Sequence, residues 1–176
     1  NFLYQNNGDG TFSKITTGVI VNDGVESFGC SWGDYDNDGD LDLFVANGDR
    51  IFKNNFLYEN NGDGTFNKIT TGSIVNDGGG SKGGSWGDYD NDGHLDLFVA
   101  NTGDEGEGQR NFLYQNNGDG TFTRTQLQNM PSSGRGKDAG DVNEDGHVDV
   151  VLGTATTNLA FYPGNGNGTF QPRLTF

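Results

Sequence analysis

Five aspartates at alternate positions, Asp34, Asp36, Asp38, Asp40 and Asp42, lead into the apolar run Leu43–Ala46. The pattern returns as Asp88, Asp90, Asp92 and Asp96, with His94 in the fourth place, and again as Asp141, Asn143, Asp145 and Asp149 with His147. Like charges so close repel one another unless a cation sits among them. With the first aspartate as position 1, oxygen-bearing side chains fall at 1, 3, 5 and 9, and Gly39, Gly93 and Gly146 fall at 6. Calcium takes six to eight oxygens, and a loop turned at a glycine can wrap alternate side chains around one ion. Position 7 would give its backbone carbonyl, which lets its side chain change from Asp40 to His94 and His147. About three calcium ions are therefore expected, the third held most weakly because Asn143 replaces a charge.

Other cations suit the pattern less well. Magnesium demands a strict octahedron and keeps its waters. Zinc would need Cys or a second His at ligand spacing. The loops also differ from an EF-hand, whose position 12 is a bidentate Glu; here that place holds Val45, Val99 and Leu152.

The remaining side chains offer little catalysis. The chain has two histidines, both on the aspartate loops, so a Ser-His-Asp arrangement lacks a free base. The carboxylate pairs that could cleave a glycoside are committed to metal. Cys30 is the single cysteine; it aligns with Gly84 and Lys137 and reads as a packing position. Trp32 and Trp86 precede the first two loops, where Ala139 stands before the third. They read as packing between repeats, with a sugar-stacking platform as the sharper alternative. Glu105 and Glu107, in the inserted segment Thr102–Gln109, read as a solvated loop, and Asn167-Gly168-Thr169 matches a glycosylation sequon.

The elements that position these loops follow from internal repetition. NFLYQNNGDGTF at Asn1–Phe12 returns as NFLYENNGDGTF at Asn55–Phe66, as NFLYQNNGDGTF at Asn111–Phe122, and in degenerate form at Ala160–Phe170. Each copy predicts a hairpin turned on Asn-Gly-Asp-Gly, since Asn and Gly tolerate the positive φ of tight reversals. NNGDGTF has oxygens of its own, but the turn explains them and the spacing is too short to encircle an ion. The apolar run after each aspartate loop predicts a third strand, and the segment before it a fourth. No window sustains a helical period over three turns. Four antiparallel strands per unit of about 50 residues give an all-β chain of β-propeller blades. The units are 27–76, 81–130 and 134–176, with a partial blade at 1–22, about three and a half blades in one array.

Composition limits the partners. A formal net charge of −15 disfavours nucleic acid, which requires a basic surface, and disfavours an anionic bilayer unless a divalent cation bridges the two. No apolar window is long enough for a membrane span. With one cysteine, no intramolecular disulfide can form. The absence of a signal peptide and of an initiating Met reads as a mature product or a piece of something longer.

GDYDNDGDLDLFVAN followed by NFLYxNNGDGTF resembles the FG-GAP and VCBS-type repeats of integrin alpha-subunit propellers and of many secreted bacterial and fungal proteins. The resemblance covers nearly the whole chain. It implies calcium-bound propeller blades, an extracellular or cell-surface setting, and a non-catalytic role in adhesion, ligand binding or assembly. Some such repeats belong to lectins with sugar pockets between blades, which here would draw on Trp32 and Trp86; others are accessory domains of secreted enzymes. The third unit departs from the pattern at Asn143 and Ala139. A closed propeller has at least four blades, so self-association, or blades from the rest of a longer chain, is expected alongside an extracellular protein or glycan partner.

Overall fold

The computed structural model describes residues 1–48, 53–102, 110–128, 130, 136–153 and 159–174. The segment carrying Glu105 and Glu107 lies outside them. The chain begins with an antiparallel pair, β1 (Leu3–Asn6) and β2 (Phe12–Ile15), followed by a single helical turn, α1 (Val19–Asn22). Two four-stranded antiparallel sheets come next. The first holds β3 (Ser27–Gly33), β4 (Asp42–Asn47), β5 (Phe56–Asn60) and β6 (Phe66–Ile69) in sequence order. A second helical turn, α2 (Ser73–Asn76), leads to β7 (Ser81–Gly87), β8 (Asp96–Asn101), β9 (Phe112–Asn116) and β10 (Phe122–Gln126), again neighbour to neighbour. The last sheet has three strands, β11 (Gly136–Gly140), β12 (Asp149–Gly153) and β13 (Leu159–Tyr162). The chain is thus all-β, an open series of propeller blades that does not close into a ring.

Two features differ from the sequence expectation. The third unit forms three strands among the described residues, its would-be fourth reduced to isolated bridges at Gly164–Phe170 and Phe161–Leu174. Pro163, which lacks a backbone donor, stands there where the other blades have Glu59 and Gln115. The turns α1 and α2 were not expected either. At one turn each they are too short for an apolar period to reveal, yet they bury Ile20, Ile74 and Val75 between sheets.

β4 and β8 are covered on both faces, which is why Asp42–Asn47 and Asp96–Asn101 are buried at every residue. Alternate side chains serve opposite neighbours. Phe44, Ala46 and Leu57 face the second blade and meet Leu97, Val99 and Tyr114, with Tyr35 and α2 completing the cluster. Phe98, Ala100 and Leu113 face the third blade and meet Val150, Leu152, Ala160 and Tyr162. Leu43, Val45 and Tyr58 face β1 and α1, meeting Leu3 and Ile20. The blades approach so closely that a Cβ on Gly84 would lie 3.0 Å from the Phe44 ring.

The inner-to-outer crossovers are fastened by asparagines. Ser27 Oγ donates to Asn47 Oδ1 (2.9 Å), Asn47 Nδ2 to the Asn54 carbonyl (3.0 Å), and Asn47 N to Asn55 Oδ1 (3.0 Å). Ser81, Asn101, Arg110 and Asn111 repeat the arrangement in the second blade.

Candidate metal centres

Each aspartate loop joins the first strand of a blade to the second, so its ends are pinned by a β-ladder: Gly33 pairs with Asp42, Gly87 with Asp96, and Gly140 with Asp149. Between these anchors the loop folds on its own carboxylates. Asp34 accepts the amides of Asp38 and Gly39 (both 3.1 Å), and Asp38 accepts that of Asp40 (2.8 Å). Asp88 and Asp92 repeat this with Asp92, Gly93 and His94, and Asp141 and Asp145 with Asp145, Gly146 and His147. The reversal requires left-handed backbone at two places: Asn37, Asn91 and Glu144 at φ 60–63°, and Gly39, Gly93 and Gly146 at 95, 92 and 86°. Gly is the residue that adopts the second of these without strain.

The position-9 carboxylate locks loop to blade. Buried Asp42 accepts the Tyr35 amide (3.1 Å) and the Asn60 amide from β5 (2.9 Å). Asp96 does the same with Tyr89 (3.0 Å) and Asn116 (2.8 Å), and Asp149 with Val142 and Gly164 (both 2.9 Å). Burial is the main cause that pushes Asp42 and Asp96 up to about 6, partly offset by those amide bonds and reinforced by neighbouring aspartates. Partial desolvation also raises Asp36, exposed though the residue is, with help from Asp38 and Asp34.

Carboxylate oxygens of Asp34, Asp36 and Asp42 lie within 4.8 Å of one another, as do those of Asp88, Asp90 and Asp96. Oxygens bound to one calcium at 2.3–2.6 Å lie within about 5 Å of each other, so both groups are the right size. The second carries a sharper sign. Asp90 Oδ1 is buried without a hydrogen-bond partner, while its Oδ2 accepts from Gln115 Nε2 (2.8 Å). A buried carboxylate oxygen without a donor is costly, and a cation among these oxygens removes that cost. An all-oxygen donor set of this kind fits calcium.

The other expected ligands are placed differently. Asp38 and Asp92 stand outside the two groups of three. Among the described residues Asp141, Asp145 and Asp149 do not converge in the same way, and Asn143 turns its amide onto Asp145 (3.0 Å). The position-7 side chains face the hairpin turns, where a Cβ on Gly62, Gly118 or Gly166 would collide with Asp40, His94 or His147. The histidine rings also link successive loops: His94 Nδ1 meets Asn37 Nδ2 (3.0 Å) and His147 Nδ1 meets Asn91 Nδ2 (2.8 Å).

The two tryptophans part company. Trp86 is half-buried, stacked at 6.2 Å on Tyr35 of the preceding loop, and donates to the Ser31 carbonyl (3.3 Å). Trp32 is 44% exposed and touches Phe66 of its own blade. The NNGDGTF turns are closed by their own bonds, Asp9, Asp63 and Asp119 each accepting from the threonine two residues on.

Residues from the outer strand were missed by sequence reasoning. Asn116 Nδ2 donates to the Tyr35 carbonyl in the first loop (2.6 Å) and to the Leu95 carbonyl beside the second (3.2 Å). Glu59 holds the strand position of Gln115, and lines a cleft of about 320 Å³ with Asp36, Tyr35 and His94. The signal was present, since NFLYENN and NFLYQNN share the repeat register.

The sequence profile described as FG-GAP-like repeat matches three times, over residues 1–45, 34–99 and 88–152. A stretch of 62 residues is 42% identical to cartilage acidic protein 1 of Xenopus tropicalis, 33% of this chain against 9% of that protein. The chain thus spans a small part of this relative's length.

Proposed function

The chain belongs to the FG-GAP-like repeat family, and from that premise we propose that it is a calcium-fastened set of propeller blades that presents a non-catalytic binding surface outside the cell. The observation that supports this most is the convergence of Asp34, Asp36 and Asp42, and of Asp88, Asp90 and Asp96, with one buried oxygen of Asp90 left without a donor. These six carboxylates would hold the ions, aided by Asp38 and Asp92 and by the backbone of Asp40 and His94. Asp141, Asn143, Asp145, His147 and Asp149 would form a third, weaker site. Calcium supplies positive charge that offsets the repulsion among the carboxylates. An extracellular setting suits a module fastened by calcium, and a relative named for cartilage is in keeping with it. Among the described residues no helix is long and apolar enough to cross a membrane.

Calorimetric titration with calcium tests the reading. Two ions bound tightly and a third weakly are expected; no measurable uptake would overturn it. Carbohydrate binding is the second reading, and exposed Trp32 is the observation that favours it. A glycan array run with and without chelator separates the two, and no sugar signal is expected. A role as an accessory domain of a larger secreted enzyme predicts turnover only when an enzyme domain is attached.

A further inference from the structure

Glu59, Gln115 and Pro163 hold one place in the three blades. The residue after each donates its backbone amide to the buried position-9 aspartate of its own blade: Asn60 to Asp42, Asn116 to Asp96 and Gly164 to Asp149. The place therefore lies beside the aspartate loop in every blade. Its occupant differs in kind: an anion, then an amide, then a proline ring with neither charge nor donor.

Gln115 Nε2 donates to Asp90 Oδ2 (2.8 Å), and its amide packs beneath the turn of the third blade, where a Cβ on Gly168 would lie 2.6 Å from it. It thereby fixes the Asp90 carboxylate. Glu59, ionised, has no proton to give Asp36. A cleft of about 320 Å³ lies there between the first loop and the turn of the second blade, lined by Asp36, Glu59 and Asp119 among others. No lysine or arginine balances these charges: the two ion pairs among the described residues join Lys68 to Asp23 and Arg124 to Asp77. Asp119 is taken up by Thr121 within its own turn, and Asp40 lies against Gly62. Glu59 is left as the uncommitted carboxylate beside Asp36 among the described residues.

We propose that Glu59 sets the charge of the first loop's calcium site, and with it the affinity and salt dependence of that site; the inference rests on the calcium reading above. Calcium affinity follows the charge count and the rigidity of the oxygen ligands. Glu59 adds a negative charge at the cleft that Asp36 lines, opposing Asp36 in the bare loop and attracting the ion when calcium binds. Gln115 adds no charge and instead holds Asp90 in place. The first loop is thus the charge-driven site and the second the pre-arranged one, while the third, with Pro163, has neither aid.

The test is a calcium titration of the full chain followed by NMR, in low and in high potassium chloride. The Gly39 and Gly93 amides, which donate to Asp34 and Asp88, report the two loops separately. Glu59→Gln is expected to weaken calcium binding at the first loop about tenfold, to leave the second within about twofold, and to flatten the salt dependence of the first. Its melting temperature in EDTA is expected not to fall, because a like charge has been removed beside Asp36. Gln115→Glu is expected to steepen the salt dependence of the second loop. A first-loop affinity and salt dependence unchanged by Glu59→Gln would overturn the proposal. So would tighter binding in that variant, which would make an amide donor to Asp36 worth more than the charge, or equal weakening at both loops, which would mark a general loss of structure. If neither amide responds to calcium in the original chain, the calcium reading itself fails and this proposal with it. A response there that Glu59→Gln leaves untouched fells this proposal alone.

Discussion

At the scale of residues, the aspartates divide into those that hold the fold and those that would face a bound ion. Asp42 is buried and satisfies two amides from different strands, so Asp42→Ala strands both donors. A loss of about 1–3 kcal/mol is expected, visible in urea denaturation even with chelator present. Asp36 is exposed and takes one amide at 3.3 Å. Asp36→Ala is expected to leave the metal-free stability within about 0.5 kcal/mol while weakening calcium binding in the first loop by tenfold or more in calorimetry. The raised values of Asp42 and Asp96, about 6 against 3.8, also set a pH dependence. A folded value above the unfolded one means protonation favours the fold. The contribution is full below the unfolded value and is lost as pH rises through about 6. In chelator the urea midpoint is therefore expected to be higher at pH 5 than at pH 7. With calcium saturating the order reverses, because protons and calcium compete for the same oxygens.

At the scale of elements, the loops were legible and their supports were not. Alternating aspartates with a fixed glycine mark a local turn, and a turn's requirements are written in adjacent residues. The hairpins at NNGDGTF and the apolar strands DLFVAN were readable for the same reason. Asn116 was not, because its role depends on the first loop, far away in sequence, lying beside β9. Trp86 and Trp32 look alike in sequence, and only the packing of the first blade against the second separates them. Asn116→Ala removes the bonds to Tyr35 and Leu95 and leaves one buried and one part-buried carbonyl short of a donor. A destabilisation of about 1–3 kcal/mol is expected, together with weaker calcium binding at the first loop, although Asn116 touches none of its carboxylates. Unchanged first-loop affinity in calorimetry would contradict this link. Gly84→Val inserts a branched side chain against Phe44 and Leu97, where a Cβ alone would lie 2.8 Å from Leu97. Overpacking of that kind is expected to cost about 1–3 kcal/mol and to lower the melting temperature.

At the scale of the whole molecule, a net charge of −15 is spread over thin sheets, and two of the three aspartate loops each send one tyrosine, Tyr35 or Tyr89, into the cluster between blades. Apolar clusters hold each blade to the next, and Cys30 has no second cysteine in this sequence to pair with. In the proposed reading the remaining fastening falls to calcium at the loops that Tyr35 and Tyr89 anchor into those clusters. A ligand that binds only the folded state stabilises by mass action, about 2.7 kcal/mol per site at a hundredfold excess over Kd. For a domain of this size each kcal/mol moves the melting temperature by about 2–4 °C. The most direct measurement is thermal unfolding of the full chain by circular dichroism in saturating calcium and in excess EDTA. Two occupied sites predict a midpoint about 10 °C or more higher in calcium; superimposable curves in the two conditions would contradict the account.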